Sequence, residues 1–313
     1  MSFGAVGSGF FAPGYRLRRT SMLTALAVHA ALINRDVFFA EARVMAQKFI
    51  PIDDASPFRR MATGMWPHPS DPTIHGSVDI DATRLLAFLK QQREQHEVKV
   101  TITHAVARAV AVSLDNHPEL NAKVRFGGRI ERRQDVHVFV SVATDGGRDL
   151  SGTRIDHANR KSALEMAREL GAKVTRVRDG SDEHYERSRR LFQKLPWWLT
   201  RLAMLATDVI TNELHWDLPS QGLPVDPFGS AIVTNVGSFG VDTAFAPLLP
   251  IARAPILVLV SEVRDRPWVE QGQLTVRPVL RLCGTFDHRL IDGFAAARLS
   301  REISAMLSDP HDL

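Results

Sequence analysis

Only one cysteine, Cys283, occurs in 313 residues. No intramolecular disulfide can form and no cysteine cluster can ligate a metal, and no metal is among the expected cofactors. A reducing compartment, the cytoplasm, is the expected location. Cys283 lies in an apolar strand pattern, where a small buried hydrophobe is expected rather than a nucleophile. No glycine-rich loop suited to cradling a phosphate, no internal repeat and no low-complexity tract is present. The apolar run Met22–Ile33 is short and is interrupted by Thr24 and His29, so it cannot span a bilayer.

What is present is ordinary globular material, 44% hydrophobic and 24% charged, with enough apolar residues for one large domain or two small ones. The net charge is +4, with basic clusters at Arg16-Leu17-Arg18-Arg19, around Arg125 to Arg133 and at Arg187 to Arg190. No aromatic-studded basic motif accompanies them, so nucleic acid is not the expected partner. A solvated surface, or attraction for a phosphate-bearing small molecule, fits the clusters better.

Residues 1–50 read as an N-terminal extension with a docking or oligomer-contact helix. Basic followed by apolar is also the order of a secretory signal, and Ala40-Glu41-Ala42 resembles a cleavage site. Pro51, Asp53, Asp54, Ser56 and Pro57 form a link that opens the main domain, 51–313. Within it, Ser77–Asp81 is predicted to be a short strand after a proline-rich loop. The helix that follows, capped near Asp81, should carry Leu85, Leu86 and Leu89 on one side. A second helix is predicted over Thr103 to Leu114, stopped by His117-Pro118, with His104 in its first turn in a packing role. Val136–Ala143 reads as a strand in which His137 is a satisfied sheet residue, and Ser162 to Val177 as a charged helix.

Leu195 to Leu214 is apolar all round, and Pro196 suits a helix start. A core or subunit-contact helix is one reading, and a wall for a long apolar chain formed by Trp197 and Trp198 is the other. Contact with a membrane surface is less favoured because few basic residues interleave. Phe228–Gly237 reads as a strand that presents Thr234 and Asn235 at its end, and Ile256–Ser261 as a buried strand.

The organising stretch is Gly284–Gly293. It joins an alternating run (Val276, Val279, Leu280, Leu282) to an amphipathic one (Phe294, Ala297, Leu299, Ile303, Met306, Leu307). His288 and Asp292 therefore stand on a strand-to-helix turn, where a scaffold can present reactive side chains. The competing reading is a helix cap at Asp292 and a hydrogen-bonded histidine.

Five stretches in order carry a resemblance. They are Phe58-Arg59-Arg60-Met61-Ala62, Val78-Asp79-Ile80-Asp81, His117–Ala122, Val233-Thr234-Asn235-Val236-Gly237 and Asp287–Gly293. Together they resemble the catalytic domain of the 2-oxo acid dehydrogenase E2 acyltransferases, relatives of chloramphenicol acetyltransferase. The resemblance implies an α/β two-layer sandwich of the chloramphenicol acetyltransferase-like kind, and a homotrimer or a higher assembly of trimers with active sites between subunits. Coenzyme A or acyl-CoA is the implied substrate, and the other is a small-molecule or carrier-bound acyl partner. His288 matches the catalytic base and Thr234 the hydroxyl that steadies the oxyanion, with Asn235 beside it at the substrate. Asp292 matches the motif aspartate, which in this family braces the turn through an arginine; Arg59 or Arg60 is the candidate.

The chain departs from the family's pattern in three places. Residues 1–50 have no room for a lipoyl domain, so no lipoyl group is expected on this chain. Gly146–Gly152 replaces a more apolar run, and the tryptophan-rich stretch looks added or rebuilt. The leading expectation is a stand-alone coenzyme A-dependent acyltransferase. A separately encoded E2 core serving a lipoyl protein in trans, and a trimeric or shell scaffold without turnover, are the alternatives.

Overall fold

The structure is a computed structural model, and it describes residues 71–144, 149–178, 196–218 and 224–313. The N-terminal extension, the link from Pro51 to Pro57 and both Arg59 and Arg60 lie outside the described residues.

A seven-stranded mixed sheet forms the frame, in the order β1-β9-β7-β6-β4-β5, with β8 paired to β9. The strands are β1 (Thr73–Asp81), β4 (Val138–Thr144), β5 (Asp149–Ile155), β6 (Ala231–Asn235), β7 (Ile256–Val260), β8 (Arg264–Glu270) and β9 (Gln273–Asp287). A separate two-stranded ribbon joins β2 (Ala122–Val124) to β3 (Ile130–Arg132). The pairs β4–β6 and β6–β7 are parallel and the remaining pairs antiparallel. Strand β7 reads Ile-Leu-Val-Leu-Val and is buried at every position, as a strand covered on both faces must be.

Period-two alternation assigns the faces. Val233, Val258, Leu280, Leu282 and Phe286 join the main core. It is completed by helices α1 (Thr83–His96), α2 (Ile102–Asn116), α3 (Ala163–Arg178) and α5 (Gly293–Ser308). Their neighbours Ile232, Leu257, Leu259 and Cys283 point the other way and pack with Ala252, Ala254 and Leu248 from the loop before β7. The result is the expected α/β two-layer sandwich. Cys283 is buried in that second cluster as a small apolar residue.

Several local expectations need correction. Strand β1 begins at Thr73, directly after Pro72, and not at Ser77. Its nine residues pair with Asp287 back to Val279, and this long partner extends the strand into the supposed loop. Leu86 is exposed while Leu85 and Leu89 are buried, because a narrow stripe alone meets the sheet. Phe294 and Val276 are also exposed. Val276 lies where β9 has left the sheet to pair with β8 alone, through Pro267. Strand β8 is absent from the sequence expectations because its polar, proline-bearing run fits only an edge position. The Gln271-Gly272 turn behind it, with φ of 50° and 80°, is a hairpin signature.

Candidate active site

Strand β9 ends at Asp287, and the turn that follows is held from three directions. The His288 N–H donates to the Pro72 carbonyl at 2.8 Å, and the Leu290 and Ile291 N–H groups donate to the Asp287 carbonyl at 3.0 and 2.9 Å. The Ile291 side chain is fully buried and anchors the loop in the core. Asp287 is buried, and Arg289 grips its carboxylate with two bonds, Nε to Oδ1 at 2.9 Å and Nη2 to Oδ2 at 2.7 Å. Its carboxylate raises the pKa of Arg289 further. Such a fork fixes geometry as well as charge. This brace from Asp287 and Arg289 is missing from the sequence expectations, which looked for one at Asp292.

His288 stands exposed at the head of this turn. Its Nδ1 lies 3.2 Å from the Ile291 carbonyl oxygen. A carbonyl can only accept, so Nδ1 carries the proton and Nε2 keeps its lone pair. The ring is thus oriented with its free nitrogen away from the turn. Asp292 caps helix α5: Oδ1 accepts the Ala295 N–H at 2.8 Å.

Thr234 and Asn235 close strand β6. Alternation places Thr234 on the side of Ile232 and Asn235 on the side of Val233. Asn235 Nδ2 donates to Thr103 Oγ1 at 2.9 Å, and Asn235 Oδ1 accepts from the Ser238 N–H at 3.3 Å. These bonds tie the strand end to the start of α2. Gly237 is required here: a Cβ would lie 2.4 Å from the Ser261 carbonyl oxygen.

The register keeps Thr234 and His288 apart within one copy of the chain. Thr234 is level with Leu259, and Leu259 with Cys283. Strand β6 runs opposite to β9, so the two strands leave the sheet at opposite ends. Five residues from Cys283 to His288 span ~17 Å and two strand spacings add ~10 Å across, giving a separation of ~20 Å.

A cleft of about 970 Å³ borders the turn, with Asp287 and Arg289 among its walls. Helix α4 (Trp197–Asp208) contributes Arg201, Met204, Leu205 and Asp208 to the lining. One turn of π-helix, Val209–Glu213, ends this segment. Arg253 locks it in place through Asp208 Oδ2 at 2.6 Å and Glu213 Oε1 at 2.5 Å, while its guanidinium lies 4.5 Å from the Phe126 ring centre. Burial works against the charge on Glu213, but the Phe126 N–H, Arg125 and Arg253 outweigh it and hold the carboxyl at about 2. Trp198 is exposed on α4 and outside the cleft lining, which Met204 and Leu205 supply. Trp197 opens the same helix, and its side chain is outside the description.

Beside Asn235's partner Thr103 sits His104, which is buried and whose Nδ1 accepts from the Thr101 N–H at 3.0 Å. Burial pushes its pKa down to about 4, and the positive end of α2 acts in the same sense. Between pH 6.5 and about 4 the unfolded chain takes up a proton that the folded chain refuses. Stability is therefore full above pH 6.5 and falls by as much as ~3 kcal/mol as the pH drops through that window. Urea midpoints at pH 7.5 and pH 4.5 should show this fall, and His104→Gln should remove most of it. An equal fall in the variant would assign the loss to other groups.

Among the described residues, no helix is long and apolar enough to cross a membrane. A family model described as "2-oxoacid dehydrogenases acyltransferase (catalytic domain)" matches residues 57–190 and 228–313, well over half of the chain. Residues 191–227, which contain α4 and the π turn, are left unmatched. The acetyltransferase component of the acetoin cleaving system of Bacillus subtilis is 29% identical over 235 residues, covering 74% of this chain and 48% of that protein. The lipoamide acyltransferase component of the branched-chain α-keto acid dehydrogenase complex of Pseudomonas putida is 26% identical over 240 residues, covering 74% and 46%. The chain thus spans about half the length of the curated relatives it matches. Among solved structures, a probable dihydrolipoamide acetyltransferase of Listeria monocytogenes aligns with a TM-score of 0.58 at 20% identity, covering 85% of this chain and 97% of that one. The cubic core of the pyruvate dehydrogenase multienzyme complex aligns with a TM-score of 0.56 at 22% identity, covering 84% and 97%.

Proposed function

The chain belongs to the 2-oxoacid dehydrogenase acyltransferase catalytic-domain family, and from that premise we propose that it moves an acyl group between coenzyme A and an acceptor thiol. The observation that carries the proposal is the bond from His288 Nδ1 to the Ile291 carbonyl, which leaves Nε2 free on an exposed, braced turn. In the reaction, Nε2 takes the proton of the attacking thiol as its sulfur bonds to the acyl carbon. A thiol of pKa near ~8.5 is only a few per cent ionised at neutral pH, so a positioned base has a large effect. The carbonyl oxygen of the tetrahedral species becomes an oxyanion, and the Thr234 hydroxyl donates to it. The bond from acyl carbon to the departing sulfur then breaks, and His288 returns the proton to that sulfur. Asp292 holds the start of α5 and so the far side of the turn, and an arginine at position 59 or 60 is its proposed further brace.

Because ~20 Å separates Thr234 from His288 in one copy, the two groups act together only if different copies supply them. A closed trimer, alone or built into a larger shell, places the sheet end that bears Thr234 of one copy against the His288 turn of the next. Lipoamide carried on another polypeptide is the first acceptor to examine, since several relatives are named as dihydrolipoyllysine-residue acetyltransferases.

The test is thiol release from acyl-CoA with and without dihydrolipoamide. Release that depends on the dithiol is the expected result, and it identifies the acceptor class. No release with any acyl-CoA and any thiol, from a correctly folded oligomer, would leave a scaffold as the better reading.

A further inference from the structure

Helix α4, which lies in the interval 191–227 that the family model leaves unmatched, supplies one wall of the cleft beside the His288 turn. We propose that helix α4 makes this cleft a binding site for an apolar acyl chain much longer than acetyl, carried on the thioester that reacts at His288. The inference rests on the acyltransferase reading and adds the substrate class.

Three observations support it. First, the cleft is continuous with the turn, since Asp287 and Arg289 flank His288 and also line the cleft. Its ~970 Å³ lies at the upper end of the range for small-molecule sites, where an acetyl group would leave most of the volume to water. Second, the lining includes an apolar set, Met204 and Leu205 on α4 with Val124, Leu248 and Ile251. The apolar surface continues outward along α4 through Leu202 and Trp198, both more than half exposed. Trp198, Leu202 and Leu205 recur at intervals of four and three, so they share one face of α4. Third, the wall is fixed. Arg253 grips Asp208 and Glu213, and Asn212 Nδ2 donates to the Ile251 carbonyl at 3.1 Å. These bonds cross from the unmatched segment to the loop that forms the opposite side of the cleft. Arg201 lines the cleft without an ion pair among the described residues, and its charge suits the phosphates of a coenzyme A thioester rather than a wholly neutral lipid.

The full chain, in its native oligomer, is assayed with acetyl-, butyryl-, octanoyl- and dodecanoyl-CoA and dihydrolipoamide. Burial of each added methylene is worth up to about fourfold in kcat/KM, so octanoyl should exceed acetyl by at least tenfold. Leu205→Asp should lower the octanoyl-to-acetyl ratio by at least tenfold, and Leu205→Ile should restore most of it. Titration calorimetry with octanoyl- and acetyl-CoA supplies a second readout that needs no turnover, and the same order of affinities is expected. Acetyl preferred in both measurements, or a ratio unmoved by Leu205→Asp, overturns the proposal. So does a change of oligomeric state in Leu205→Asp with the ratio preserved, which would make the cleft an interface between copies. Transfer without chain-length preference defeats the cleft alone. Tighter octanoyl binding without any transfer defeats the acyltransferase reading and leaves the cleft standing.

Discussion

Replacing His288 with alanine is expected to lower kcat by ~10³-fold while coenzyme A still binds. The expectation follows from the way the turn is built. Its backbone is pinned by the bonds to Pro72 and Asp287, and Ile291 fills the core beneath it. The Asp287–Arg289 fork does not involve the imidazole. Removing an exposed ring therefore leaves the fold intact and deletes the proposed proton acceptor. Steady-state rates read the loss, and calorimetry with coenzyme A reads the retained binding. Turnover within tenfold of the native rate would remove His288 from the chemistry. The Asp287 carboxylate offers a contrasting case: Asp287→Ala removes the buried acceptor that holds the exposed Arg289 guanidinium and the Arg289 N–H, and so frees the turn, so activity and stability should fall together.

The second large effect concerns the division of the site between copies. On the proposed mechanism Thr234→Ala removes the hydroxyl that donates to the oxyanion, for which ~10²-fold in kcat is the usual loss, and Thr234→Ser should retain most of the rate. The decisive measurement mixes chains. If His288 and Thr234 of one site come from different copies, trimers reassembled from equal amounts of His288→Ala and Thr234→Ala chains regain activity. Random assembly leaves about a quarter of the sites with both native groups, so about a quarter of native activity is expected. A site contained in one copy would regain nothing on mixing, because every chain lacks one group. The sheet register motivates the experiment: Thr234 is level with Cys283, five residues short of His288 and two strands away.

Much of the fold can be read locally. Strand β7 is an unbroken apolar run, α2 ends where His117-Pro118 forbids its continuation, and α5 repeats Leu299, Ile303 and Leu307 along one face. The turn at His288 was visible because a strand period gives way there to a helix period. Period alone could not say how long β1 would be, since its first residues are chosen by the partner strand β9. Strand β8 was hidden because its side chains alternate over no core. Leu86, Phe294 and Val276 carry the right chemistry for burial, yet the packing partner sits elsewhere.

For the site, sequence by itself determined which groups are available: one imidazole on a strand-to-helix turn, a hydroxyl at the end of β6, and an apolar segment foreign to the surrounding pattern. These follow from residue type and spacing, which act over a few residues. Tertiary structure alone decided three further things. It set the tautomer of His288 through the Ile291 carbonyl, placed Thr234 and His288 at opposite sheet ends, and set Met204 and Leu205 of α4 in the cleft that Asp287 and Arg289 also line. The Arg253 clamp on Asp208 and Glu213 shows the physical reason. Ion pairs and sheet registers that join residues forty or more positions apart leave no periodic trace in a chain, and they exist only once the core has brought their partners within hydrogen-bonding distance.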